Sequence, residues 1–299
     1  MRVTVRVPAS SANLGPGFDC FGLALDLCNE VIVDTEAEPG VTWEGEGADE
    51  LPTDGSDMVS RAIAFTLEWH PGDGPTASMP PFSLHGINRI PLERGLGSSS
   101  AAAVAGAAIA QAWVGSRGQV DPDHPVSGAL LFHVATELEG HADNAAAAIY
   151  GGFIVVANQI VRRLDPHPDL APVILVPDHL RLPTVDARGA LPSDVSRQDA
   201  VFNVGHAAMA VVALTQAPDL LLVALQDRLH ENARAALVPE SAALLADIRR
   251  RQIPSCLSGA GPSLLAFESE GHTVDELPDG WRAIRPGVRA TGVEVVVED

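Results

Sequence analysis

Residues Pro91 to Gly106 read PLERGLGSSSAAAVAG, and the stretch before them, Phe82–Ile90, has the composition of a strand. A strand therefore enters a loop that holds Gly95, Gly97 and three consecutive serines, and the loop opens an Ala-rich helix. Glycines let main-chain N–H groups approach an oxyanion without interference from Cβ. A helix starting near Ser99 adds unpaired N–H groups and the positive end of its dipole. Three hydroxyls add donors, or ligands for a hard cation. The stretch predicts an anion cradle. It is not a P-loop, which needs a Lys after its final Gly. Nor is it the dinucleotide fingerprint, which needs Gly where Ser100 stands, nor a nucleophile elbow, whose G-x-S-x-G spacing is absent. On spacing alone, an ordinary tight turn before a buried helix stays open as the alternative.

Moving outward, the helix AAAVAGAAIAQAWV is apolar nearly all round, so it belongs in a core. Upstream, Arg2–Val7 alternates like a strand, Pro8–Gly17 is turn-rich, and Leu23–Leu27 and Glu30–Thr35 read as strands. Pro39–Asp57 reads as loops with an edge hairpin. Asp57–Glu68 has helical spacing, with Ser56 or Asp57 as N-cap, and Pro71–Pro81 is a loop. Downstream, Ala129–Leu138 and Ala145–Ile149 predict helices and Phe153–Ala157 a strand. A break rich in Pro, Asp and Arg at Val161–Pro172 marks the expected domain boundary, giving units 1–160 and 161–299. Beyond it, Pro172–Val176, Ile253–Leu257, Leu264–Phe267 and Val293–Val297 predict strands. Val195–Leu214, Leu220–Leu229 and Ser241–Arg251 predict helices. Helices and strands mix without strict alternation, which points to an α+β fold.

Composition narrows the function. The 299 residues carry 39 acidic against 19 basic side chains, a formal net charge of −20. Such a field repels polyanions and argues against a nucleic-acid partner. Any phosphate site here must rely on local N–H groups, a metal ion and a few arginines. Three cysteines, Cys20, Cys28 and Cys256, form neither a disulfide framework nor a zinc pattern. The start MRVTVRVPAS has no signal-peptide core, and no run of about 18 uncharged apolar residues suggests a membrane span. These features fit a cytoplasmic enzyme.

Three segments in order carry a family resemblance: VPASSANLGPGFDCFGLAL (Val7–Leu25), the GLGSSSA loop, and CLSGAGPSLLAF (Cys256–Phe267). The chain resembles the GHMP kinases over essentially its whole length. PASSANLGPGFD, the motif His141-Ala142-Asp143-Asn144, the stretch from Thr184 to Arg188 and DRLHENARAALVPE (Asp227–Glu240) are similar to the homoserine kinase branch of that family. The resemblance implies two α+β domains. The N-terminal one would bind ATP (ribosomal S5 domain 2-like) and the C-terminal one would be ferredoxin-like. It also implies ATP-dependent phosphorylation of L-homoserine with Mg2+, in a molecule that tends to be a homodimer. The alternatives are a GHMP kinase for another small alcohol, or a silent GHMP-fold binding protein.

The same resemblance implies the site residues. Pro91, Leu92, Glu93, Arg94, Gly95, Leu96, Gly97, Ser98, Ser99, Ser100 and Ala101 would hold the nucleotide. Asn13 and Asp19 would line the substrate site, with Asp19 facing the ammonium, and Asn144 would meet the reacting hydroxyl. Arg188 and Arg234 would take the carboxylate, since a guanidinium holds two oxygens at once. Asn144, Asp19 and Arg188 are the catalytic candidates. Ser98 or Ser99, with Glu139 or Glu137, would ligate Mg2+, and Glu139 is preferred. No general base stands out. Ser258–Ser263 is expected to pack on the phosphate loop.

Overall fold

The computed structural model describes residues 1–68, 78–116 and 127–298. The expected loop Pro71–Pro81 lies largely outside them. In chain order the elements are β1 (Arg2–Ala12), β2 (Phe21–Asp34), β3 (Gly40–Gly45), α1 (Met58–Glu68), β4 (Ser83–Asn88), α2 (Ser98–Val114), α3 (Gly128–Glu139) and α4 (Ala142–Tyr150). Next come β5 (Phe153–Ala157), β6 (Ile160–Leu164), β7 (Ala171–Pro177), α5 (Thr184–Gly189), α6 (Arg197–Thr215) and α7 (Leu221–Ala224). The last are α8 (Glu231–Ala235), α9 (Pro239–Arg250), β8 (Ser255–Leu257), β9 (Leu264–Glu268), β10 (Trp281–Ile284) and β11 (Glu294–Glu298).

Two sheets organise the described residues. One has the order β11-β1-β2-β4-β3, with β5 also on β2 and β6 on β5; the other runs β10-β7-β9-β8. Helix α2 is buried almost throughout, as its all-apolar sequence requires. It lies against α1 so closely that a Cβ on Gly106 would sit 2.3 Å from Val59 O. Asp57 starts α1 by accepting from the Ser60 N–H at 2.9 Å, a cap that contributes about 1 kcal/mol.

Several expected elements differ in extent. β1 runs on through the stretch read as a turn, because Ser10–Ala12 pair with Leu23–Ala24 and Gly22 after a register shift between Pro8 and Ala9. Pro8 has no N–H to give a ladder, so the irregularity falls beside it. Leu23–Leu27 and Glu30–Thr35 form the single strand β2. β3 is no hairpin arm, since it runs parallel to β4. The helix expected over Leu220–Leu229 stops at Ala224, because the Asp227 carboxylate accepts from the N–H groups of Leu229, His230 and Glu231 and begins α8 instead. The division expected between residues 160 and 161 falls inside the β5–β6 hairpin, and β11 returns to pair with β1. Chain order and sheet membership therefore do not coincide.

Candidate active site

β4 leads into the glycine–serine loop, and the loop opens α2 at Ser98. Gly97, the residue before the helix, has φ 68°, a left-handed conformation that favours glycine. A Cβ there would lie 2.2 Å from Ser10 Oγ and 3.0 Å from Asn144 Oδ1. At Gly95, with φ 71°, it would lie 2.1 Å from Ser258 O. The loop is thus wedged between the first and third motifs. Ser10 N–H donates to Leu96 O at 3.1 Å, and Ser258 Oγ donates to Gly95 O at 2.8 Å. The Ser258–Ser263 turn packs where it was expected to. Arg94 lines the second cavity beside the loop, and its guanidinium donates to Pro177 O, Leu92 O and Asp178 O, which ties the loop to the end of β7.

A cavity of about 300 Å³ opens on one side of the α2 N-terminus. Val31, Trp43, Met58, Leu92 and Ala101 make it largely apolar, and Glu50, Glu93 and Arg181 stand at its polar edge. Arg181 pairs there with Glu50. The linear sequence marked only the loop's share of this wall, Leu92, Glu93, Ser98, Ser99 and Ala101; the rest is gathered from β2, β3, α1 and the segment after β7.

A second cavity, of about 350 Å³, lies on the other side and shares Glu93, Ser98 and Ser99 with the first. It brings together Asn13, Asp19, Asn144, Arg188 and Arg234, which stand far apart in the chain. Asn13, Leu14 and Gly15 are successive left-handed residues at the end of β1, with φ of 69°, 48° and 72°; such conformations cluster at functional sites. Asn13 is engaged at both ends of its amide: Nδ2 donates to Gly259 O at 2.7 Å and Oδ1 accepts from the Asp19 N–H at 3.0 Å. Asp19 holds Arg188 through two contacts of 3.2 and 3.3 Å. Arg188 sits on α5, whose Ala187 packs with Leu182, Val238 and Ala260 in a small cluster. Asn144 Oδ1 accepts from Ser10 Oγ at 2.9 Å, which leaves its Nδ2 to donate.

Arg234 is only 2% exposed. It donates to the same Gly259 carbonyl at 3.1 Å. Its Nε and the Nε2 of His141, which lines the same cavity, are buried polar atoms without a partner among the described residues. Buried polar atoms are rarely left unpaired, and these two belong to residues that line this cavity. His141 and Asp143 had no assigned role, although both belong to the quoted His-x-Asp-Asn motif. Burial lowers the His141 pKa, helped by the Arg188 charge. Burial raises the Asp143 carboxyl to about 6, although it accepts from the Asn144 N–H at 2.9 Å.

Of the two candidate metal glutamates, Glu139 reaches the loop: its Oε1 accepts from Ser99 Oγ at 2.7 Å. Glu137 is exposed. Burial raises the Glu139 pKa and the Ser99 hydrogen bond opposes the rise. One hydroxyl and one carboxylate beside the anion cradle are hard oxygen donors. They fit Mg2+, which is held by one or two protein groups and by phosphates. Among the described residues no group of three or more His, Cys, Asp or Glu is placed to hold a metal alone, and no helix is long and apolar enough to cross a membrane.

Known proteins resemble this chain in sequence and fold. The family model for the GHMP kinases N terminal domain matches residues 57–152. The homoserine kinase of Clavibacter michiganensis subsp. michiganensis is 42% identical, over 99% of this chain and 87% of its own. That of Streptomyces avermitilis is 41% identical, over 98% and 95%. The crystal structure of homoserine kinase from Cytophaga hutchinsonii superposes with a TM-score of 0.78 at 25% identity, covering 99% of this chain and 97% of that one.

Proposed function

The chain belongs to the homoserine kinase family of GHMP kinases, and from that premise we propose how its residues carry out the ATP-dependent phosphorylation of homoserine. The carrying observation is the pair of cavities that meet at Ser98 and Ser99. Adenine enters the apolar cavity beside Trp43 and Met58. The triphosphate lies across the main-chain N–H groups of Gly95–Ser100 and the start of α2, so the γ-phosphate arrives at the mouth of the second cavity. Ser98 or Ser99 and Glu139 are the groups that would hold Mg2+, which, when bound, neutralises phosphate charge.

Homoserine is a zwitterion, and Arg188 with Asp19 is an ion pair of the matching polarity. The substrate inserts between them, its carboxylate to Arg188 and Arg234 and its ammonium to Asp19. Asn144 donates to the reacting hydroxyl through Nδ2 and sets its direction. Positioning and charge neutralisation supply most of the catalysis of phosphoryl transfer. The hydroxyl therefore attacks without a dedicated base and gives up its proton late, to the transferred phosphoryl group.

The product O-phosphohomoserine feeds threonine biosynthesis. A cytoplasmic setting follows from the proposed reaction, which consumes ATP in amino-acid biosynthesis. An ATP-binding unit of residues 1–160 and a second unit of 161–299 would each centre on one sheet, except that β6 and β11 depart from that division and join the first sheet. Val201, Val204 and Val212 lie exposed on α6 and support a homodimer through that face; a monomer in analytical ultracentrifugation would remove it.

The decisive assay is ADP release with Mg-ATP and a panel of small alcohols. Homoserine turns over well ahead of mevalonate, shikimate and galactose. Arg188→Ala raises the homoserine KM by about 10- to 100-fold, the loss of one charge-assisted contact, and leaves the ATP KM within about threefold. Equal turnover of all four alcohols, or loss confined to ATP, would sink the reading.

A further inference from the structure

We infer that His230 is a positioning residue for substrate binding, its neutral ring holding the Arg234 guanidinium in the orientation that receives the homoserine carboxylate. The inference rests on the proposed role of Arg234. His230 opens α8, one helical turn before Arg234, and is 1% exposed. Its Nε2 lies 2.8 Å from Gly15 O and its Nδ1 lies 3.0 Å from Arg234 NH1. The two contacts require one tautomer. A carbonyl can only accept, so Nε2 carries the hydrogen. A guanidinium can only donate, so Nδ1 offers its lone pair.

The neighbours agree with that assignment. The Asp227 carboxylate lies 3.8 Å from Nε2 and favours an N–H there. Asp227 also fixes the backbone at His230 by accepting from its N–H at 2.8 Å, and Asn203 Nδ2 anchors Asp227 at 2.6 Å. Phe18, from the first motif, stacks on the His230 ring at 5.2 Å and lies 5.2 Å from Arg234 Cζ. Burial holds the His230 pKa below its ordinary value, so the ring stays neutral beside the guanidinium.

The consequence is directional. NH1 of Arg234 is fixed by two acceptors, His230 Nδ1 and Gly259 O. A rigid fork held at one corner has the direction of its remaining N–H groups set by geometry, and Arg234 lines the cavity that holds Asp19, Asn144 and Arg188. Gly259 O and the Phe18 ring alone would leave the guanidinium some freedom to turn about a single hydrogen bond. His230 removes that freedom before substrate arrives, which lowers the ordering cost of binding.

Steady-state kinetics on H230L, H230Q, R234A and the double variant H230L/R234A test this. H230L raises the homoserine KM on the order of tenfold, one hydrogen bond to a charged group, while kcat and the ATP KM stay within about twofold. H230Q, which keeps one acceptor and one donor, recovers most of the loss. H230L adds nothing to R234A, because it acts through that residue. An unchanged homoserine KM in H230L, or effects that multiply in the double variant, overturns the inference while R234A still shows its own loss. A normal homoserine KM in R234A overturns the role of Arg234 and this inference with it. Nitrogen-15 NMR of the histidines in the unmodified enzyme tests the same point without a variant. The His230 signal must be that of a neutral Nε2–H ring, and an imidazolium or an Nδ1–H ring overturns the inference.

Discussion

The proposed phosphate cradle is made of main chain, and the proposed homoserine pocket is made of side chains. Gly95, Gly97 and the first turn of α2 offer N–H groups from one unbroken segment, held against Ser10 and Ser258. The opposite wall draws Asn13 and Asp19 from the first motif, Asn144 from α4, Arg188 from α5 and Arg234 from α8. A polyphosphate is recognised by many equivalent oxygens, and a row of amides serves for that. A small amino acid must be told apart by the placement of one ammonium and one carboxylate, which needs individual charges at fixed positions. The main-chain half should therefore fail when backbone space is taken away. The side-chain half should fail group by group.

Gly97→Ala gives the largest expected effect. Its Cβ would fall within 2.2 Å of Ser10 Oγ at a left-handed φ. Loop and first motif must separate, and kcat/KM for ATP drops by about 1000-fold or more, on the order of the loss of an entire electrostatic cradle. Near-normal ATP kinetics in a folded Gly97→Ala enzyme would break the contrast between the two halves.

Asp143 probes the side-chain half through pH. Its carboxyl is raised to about 6 by burial, above its ordinary 3.8. The folded chain therefore holds a proton more tightly than the unfolded chain. That contribution to stability is fully present below pH 3.8 and is lost as pH rises through about 6. Asp143→Asn removes the loss, so the variant matches the parent near pH 4 and exceeds it by about 3 kcal/mol at pH 7. Urea unfolding at the two pH values measures this. If attack needs no protein base, kcat falls less than about tenfold; a fall of 100-fold or more, the range for a general base, would make Asp143 that base.

Glu139→Gln and Glu137→Gln form the smallest pair. The first raises the Mg2+ concentration needed for half-maximal rate by about tenfold, the scale of one hydrogen bond to a charged group. The second changes it little, because Glu137 points to solvent. Equal responses would leave the Ser99–Glu139 contact without a metal role.

Much of the phosphate loop was legible in the linear chain, since strand, glycines, serines and helix follow one another within residues 82–114. A contiguous site needs no knowledge of distant contacts. The buried α2 was legible for the same reason: a helix apolar on every face has only one environment available. Short helices resisted reading. The six residues of α5 and the five of α8 are too brief to show a period. α8 begins where it does because Asp227 captures three N–H groups.

Tertiary structure decided the rest. By itself the sequence determined the motifs, their order, the α+β character and the residue types that phosphate and amino-acid chemistry require. Only the folded chain decided that Arg94 ties the loop to β7, that Glu139 and not Glu137 meets Ser99, and that Arg181 stands at the edge of the apolar cavity. It also decided that a histidine with no assigned role holds Arg234. The physical reason is range. Backbone conformation and helix propensity are set by near neighbours in the chain, whereas an ion pair or a tautomer is set by whichever groups the packing brings within about 3 Å.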